Sequence, residues 1–191
     1  MPAPLDDIRA QIEESCRVKR SFSDDLLGRI AALAEKMAVA LAAGGKIVLF
    51  GNGGSAADAQ HLAAELVVRL NRERAGLPAI ALTTNTSVLT AAGNDYGFEH
   101  IFARQVESLV QQGDVLIALS TSGNSPNMVR GIEAGRARGA FVVALTGETG
   151  GALKDQVDLL INVPSRDPQR IQEAHITIGH IVCSLAEKAR L

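Results

Sequence analysis

Lys46-Ile47-Val48-Leu49-Phe50-Gly51-Asn52-Gly53-Gly54-Ser55 passes within ten residues from a run of apolar side chains into a glycine turn. A short apolar run of this kind, entered from Gly44-Gly45 and left through glycines, reads as a strand buried on both faces. The pattern recurs at 78–82, 114–119, 140–146 and 158–163, with Gly, Ser, Thr or Asn close behind each run. Helical spacing occupies 99–110, 126–138 and 170–188. Buried strands alternating with helices predict an α/β fold: a three-layer sandwich with a central, mainly parallel five-stranded sheet of flavodoxin-like type and helices on both faces. Ligands in such sheets bind beyond the carboxyl ends of the strands, which puts the turns at 51–55 and 120–125 on the binding edge.

Upstream, 5–18 has a loosely amphipathic helical pattern suited to packing on another subunit. Phe22-Ser23-Asp24-Asp25 reads as a helix start, with Ser23 as cap, Asp24 and Asp25 at the positive end, and Phe22 placed to staple to Leu27. Ser55-Ala56-Ala57-Asp58 reads as a second capping box, opening a helix that runs to about Arg69. We expect one domain over 1–191, with the helical segment at about 5–43 in an oligomer interface.

Composition narrows the function. The chain has 191 residues, 47% of them hydrophobic, enough for one buried core. A net charge of −2, no Trp and a single Tyr exclude a phosphate-backbone or base-stacking surface, so no nucleic-acid partner is expected. Two distant cysteines, Cys16 and Cys183, make no disulfide framework. The first twelve residues lack the apolar centre of a signal peptide, and no apolar stretch approaches the ~20 residues that span a bilayer. A cytoplasmic protein without membrane contact is expected.

Ser120-Thr121-Ser122-Gly123-Asn124-Ser125-Pro126 sets four hydroxyls between a buried strand and a helix whose first position suits Pro126. Hydroxyls, backbone amides and a helix N-terminus together cradle phosphate; the plainer alternative is a polar turn with Ser125 as cap. The Gly51–Ser55 turn lacks G-x-G-x-x-G spacing because Ala56 stands in the last Gly position, which argues against a dinucleotide. Its glycines permit close backbone approach to a ligand, and Asn52 and Ser55 offer donors to sugar oxygens. His61 and Glu65, four apart, share a helix face, either as metal ligands, as a ligand beside a proton carrier, or as a surface pair. Gln172 and His180 lie ~12 Å apart along the last helix and can face the same way, whereas His175 departs from that line and reads as a packing or polar-surface residue. Asn94-Asp95 either caps a helix or binds sugar hydroxyls.

Taken together, these segments resemble the sugar-isomerase (SIS) domain family, and within it the phosphoheptose isomerases. The matching stretches are Gly51 through His61, Glu65, Gly93-Asn94-Asp95-Tyr96-Gly97, Gly113 through Leu116, Ser120 through Ser125, Arg170-Ile171-Gln172-Glu173, and His180. The resemblance implies conversion of sedoheptulose 7-phosphate to D-glycero-D-manno-heptose 7-phosphate, a step toward the heptose of lipopolysaccharide or related glycoconjugates. It implies a homotetramer with active sites at subunit interfaces and one Zn2+ per subunit on His61, Glu65, Gln172 and His180. Substrate contacts would fall on Asn52, Gly53, Gly54, Ser55, Glu65, Asn94, Asp95, Ser120, Thr121, Ser122, Ser125 and Gln172. The catalytic pair would be Glu65, taking the carbon-bound proton, and His180, the partner acid in an enediol mechanism. Two features qualify the match. The family usually has Asp where this chain has Asn85. A relative that docks on a replication-initiator protein lacks the catalytic Glu, so the alternative of a non-catalytic SIS module is disfavoured by the presence of Glu65 and His61.

Overall fold

The computed structural model describes residues 4–189. Five parallel strands form the sheet: β1 (Ile47–Gly51), β2 (Ala79–Ala81), β3 (Val115–Ser120), β4 (Phe141–Thr146) and β5 (Leu159–Asn162). Their order is β2-β1-β3-β4-β5, and every pair is parallel. The helices are α1 (Pro4–Arg20), α2 (Asp24–Ala42), α3 (Gly54–Val67), α4 (Thr86–Tyr96), α5 (Ala103–Leu109), α6 (Pro126–Ala137) and α7 (Pro168–Ala189). The predicted strands all form: β1 and β3 each lie one residue further along than expected, and β2, β4 and β5 are shorter than expected by one or two residues. The predicted helix at 99–110 splits into a 3-10 turn, Phe98–His100, and the short α5.

Strand alternation divides the core by face. Ile47, Leu49, Val115, Ile117, Leu119, Val143 and Leu145 point to one side, where α2, α3 and α7 cover them with Leu33, Met37, Leu62, Leu66, Ile178 and Val182. Val48, Phe50, Leu116, Ala118, Val142 and Ala144 point to the other, under Phe102, Val106, Met128 and Ile132. Both faces of β1 and β3 are buried, which is why their sequences read as unbroken apolar runs.

Ser23 caps α2, accepting from the Leu26 amide at 3.2 Å, with Phe22 partly buried against the core and Leu27 49% exposed. One local expectation fails: Ser55 opens no capping box. The N-cap of α3 is Gly53, with φ +56°, and Ser55 lies buried inside the first turn, two residues past the position from which its side chain could cap. The helix ends at Val67 rather than Arg69. Among the described residues, no helix is long and apolar enough to cross a membrane.

His175 is a packing residue, fully buried on α7, where Nε2 donates to the Thr146 carbonyl at 3.2 Å. Burial pushes its pKa down from 6.5 to about 4, with the Thr146 carbonyl opposing the shift. Between those values the unfolded chain binds a proton that the folded chain refuses, so stability is full above pH 6.5 and is lost as pH falls toward 4. Urea melts at pH 7, 5.5 and 4 should show this group removing about 3 kcal/mol across the window. A His175→Gln chain should show a correspondingly shallower slope, and equal slopes would refute the assignment.

Candidate active site

β1 and β3 lie side by side, and the helices that follow them leave on opposite faces, α3 on one and α6 on the other. The crevice this opens at their carboxyl ends is where ligands of such sheets bind. Asn52 and Asn127 join its two sides through a reciprocal amide pair: Asn52 Nδ2 donates to Asn127 Oδ1 at 2.9 Å, and Asn127 Nδ2 returns a bond to Asn52 Oδ1 at 2.8 Å. Asn127, 2% exposed, was not singled out by the sequence; a polar residue just inside a helix carries no signal until its burial is known.

A small cavity of about 70 Å³ lies beside this pair, lined by Asn52, Ser55, Leu119, Ser120, Thr121, Ser122, Ser125 and Gln172. Six of these eight sit in the two loops read as a ligand cradle, Leu119 closes it from β3, and Gln172 reaches in from α7. Ser120 Oγ accepts from the Gly123 amide at 3.1 Å and Ser122 Oγ from the Asn124 amide at 3.2 Å, which folds the loop around its hydroxyls. Ser125 occupies the N-cap position of α6, yet its side chain makes no capping bond, which leaves that hydroxyl free for a ligand. Gly53 and Gly54 carry the backbone past the cavity. A β-carbon at Gly54 would lie 2.8 Å from the Gln172 amide, so Gln172 packs directly on this turn.

The second group of residues lies between α3 and α7. His61 Nε2 stands 2.9 Å from His180 Nε2 and 3.3 Å from Glu65 Oε1. The two rings meet edge to face with centroids 5.1 Å apart. Donor atoms of His61, Glu65 and His180 all fall within 4.8 Å of one another. This set fits a divalent transition-metal ion: two imidazole nitrogens and a carboxylate suit it, and ligands of a tetrahedral centre stand about 3.3 Å apart. Asp58, one turn before His61 on α3, has a buried Oδ2 without a hydrogen-bond partner. Burial raises its carboxyl above the usual range, although the charges of His61 and His180 pull it down. The sequence reading took Asp58 for half of a capping box and missed its place behind the histidines.

Asn94 and Asp95 are not brought to the cavity. They sit exposed in the last turn of α4, where Asn94 Nδ2 donates to Asp95 Oδ1 at 2.8 Å, so neither caps a helix. Asn85 does cap α4, accepting from the Val88 amide at 3.1 Å. Asp would cap equally well there, so the departure from the family pattern leaves the helix start intact.

A sequence model of the SIS domain matches residues 12–147. The phosphoheptose isomerase of Geobacter sulfurreducens is 55% identical over 184 residues, covering 96% of this chain and 97% of that protein. Two solved structures share the fold nearly end to end. A phosphoheptose isomerase from Neisseria gonorrhoeae superposes with a TM-score of 0.89 at 44% identity, covering 97% of this chain and 100% of that one. Another from Francisella tularensis gives a TM-score of 0.93 at 39% identity, covering 97% and 99%.

The free Ser125 hydroxyl separates ligand binding from folding. Ser125→Ala should leave the thermal midpoint nearly unchanged, because no cap bond is lost. It should weaken inorganic phosphate binding by about ten-fold, the scale of one hydrogen bond to a charged acceptor. Calorimetric titration and a melt of the same sample check both, and an unchanged phosphate affinity would remove Ser125 from the site.

Proposed function

The chain belongs to the SIS-domain family and, within it, to the phosphoheptose isomerases, and on that premise we propose that it converts sedoheptulose 7-phosphate to D-glycero-D-manno-heptose 7-phosphate through an enediol. The observation that carries this reading is the junction of α3 and α7, where Glu65 lies with His61 and His180 near a hydroxyl-lined cavity. Aldose–ketose isomerisation moves one proton between adjacent carbons and another between their oxygens, so it needs a base and a partner acid within reach of neighbouring atoms. Glu65, its side chain 19% exposed, takes the carbon-bound proton and returns it to the next carbon. His180 carries the hydroxyl proton. The phosphate sits among Ser120, Thr121, Ser122 and Ser125, and its binding energy fixes the distant reacting carbons. Asn52, Gly53, Gly54, Ser55 and Gln172 line the path between.

His61, Glu65 and His180, completed by Gln172, would hold one Zn2+ per subunit. Bound there, the ion would polarise the sugar's oxygens and favour negative charge on them. We read the chain as one domain assembled into a homotetramer of dihedral symmetry. Supporting this, α1 buries Val18 alone and leaves Leu5, Ile8 and Ile12 exposed by 66%, 53% and 59%, a stripe at helical spacing. A neighbouring copy would also give Asn94 and Asp95 a route to the substrate. The free cysteines, one exposed and one buried, suit the reducing cytoplasm.

Glu65→Gln keeps the size of the side chain and removes the base. Its turnover should fall by roughly 10²-fold or more. Exchange of the substrate's carbon-bound hydrogen with heavy water should fall in parallel, at a zinc content measured in the same sample. Retained turnover and exchange at normal zinc would move the base elsewhere. For the assembly, light scattering should give a mass near four times 20.1 kDa. Ile8→Asp with Ile12→Asp should lower that mass; a monomeric wild-type chain would refute the tetramer.

A further inference from the structure

Glu65 and His180 belong to different helices, so their separation depends on how α3 lies against α7. The helices touch closely at one point beside the site: a β-carbon at Gly179 would come within 2.5 Å of the Leu62 side chain. Apolar packing continues there, with Leu62, Leu66, Ile178 and Val182 in one core cluster, and His61 meets His180 at 2.9 Å. A charged contact is added past the C-terminal end of α3, a helix with no basic residue in its last turn to meet its free carbonyls.

Arg74, in the loop after α3, fills that need. Its side chain is 7% exposed. Its guanidinium donates to the Glu65 carbonyl at 3.0 Å and to the Leu66 carbonyl at 2.8 Å, with further bonds to Val68 and Ala75. Nε donates to Glu187 Oε1 at 3.0 Å. Glu187 belongs to α7, its side chain is 1% exposed, and it also accepts from the Leu70 and Asn71 amides at 3.4 and 3.2 Å. Glu187 lies two turns beyond His180, and Arg74 grips the backbone of Glu65 itself.

We propose that Arg74 and Glu187 are positioning residues for the isomerisation: a buried ion pair that fixes the register of α3 on α7 and so sets Glu65 against His180. Neither side chain needs to touch substrate. Lys could not replace Arg74, because a single ammonium cannot span the two carbonyls and the carboxylate as the guanidinium fork does. The assignment rests on the isomerase reading for its chemistry and on this geometry for the clamp.

Arg74→Lys tests it in the assembled protein, at a temperature where circular dichroism and mass match wild type. Turnover of sedoheptulose 7-phosphate should fall about ten-fold or more with KM within about two-fold, since the phosphate loop lies elsewhere. Zinc affinity should fall about 10- to 100-fold, the scale for losing a contact that supports metal ligands. The double variant Arg74→Met with Glu187→Leu leaves no unpaired buried charge, should fold, and should show the same losses. Unchanged kcat and zinc affinity in either folded variant overturns the proposal. So does a loss of activity that merely follows the unfolded fraction. Wild-type protein that isomerises no sugar phosphate would count against the isomerase reading instead, and the zinc titration would then judge the clamp alone.

Discussion

Helix α3 can lie close enough to α7 for His61 to reach His180 because position 179 carries no side chain. A methyl group there would meet both terminal carbons of Leu62. Leu62 is buried in the core beside Leu66 and Ile178, so it has little room to retreat. The odd-numbered residues of β1 and β3 press on the same helices from below, so the sheet supplies the floor on which the two helices rest. The catalytic candidates thus stand on helical backbone, while the hydroxyls proposed to hold the phosphate stand on loops between strand and helix. Rigid support for the reacting groups and loop backbone for the anion is the arrangement that preorganised sites favour.

The sheet was legible because burial on both faces leaves a plain mark: β1 and β3 contain no charged residue and no alternation. The hydroxyl loop was legible for a similar reason, since four Ser or Thr residues before a Pro at a helix start have few other uses. The pairing of His61 with Glu65 follows from helical spacing alone. What could not be read was anything that depends on two distant segments meeting. Ser55 and Asp58 match a capping pattern, but the turn is set by Gly53, so the helix begins one residue before Ser55 and both side chains turn inward. Asn127, Arg74 and Glu187 are common polar residues in ordinary places, and their importance comes from burial against partners 75 and 113 positions away. Local pattern has no access to such pairings.

Asn94 and Asp95 make the same point in reverse. The family resemblance implies a place for them among the ligand contacts, yet in one chain they are exposed at the end of α4. Nearby Tyr96 and Phe98 are also exposed, by 55% and 67%, so this end of the molecule is apolar as well as polar. A surface of that character is typical where chains meet, with an apolar centre and polar groups around it. A single chain therefore brings the α3–α7 cluster and the hydroxyl loop together and leaves Asn94 and Asp95 on its surface.

The amide pair between Asn52 and Asn127 has a consequence beyond geometry. It joins the two loops without using a charge, so the junction neither titrates nor collects counterions. A phosphate held by the loop would be an anion, and its attraction would be screened as salt rises. Ionic strength would then change how much phosphate is held without acting on this junction. A lysine–carboxylate strut in the same position would have tied the frame to the same variable as its load. The neutral pair keeps them separate, so salt finds no charge to screen at the joint between the two loops.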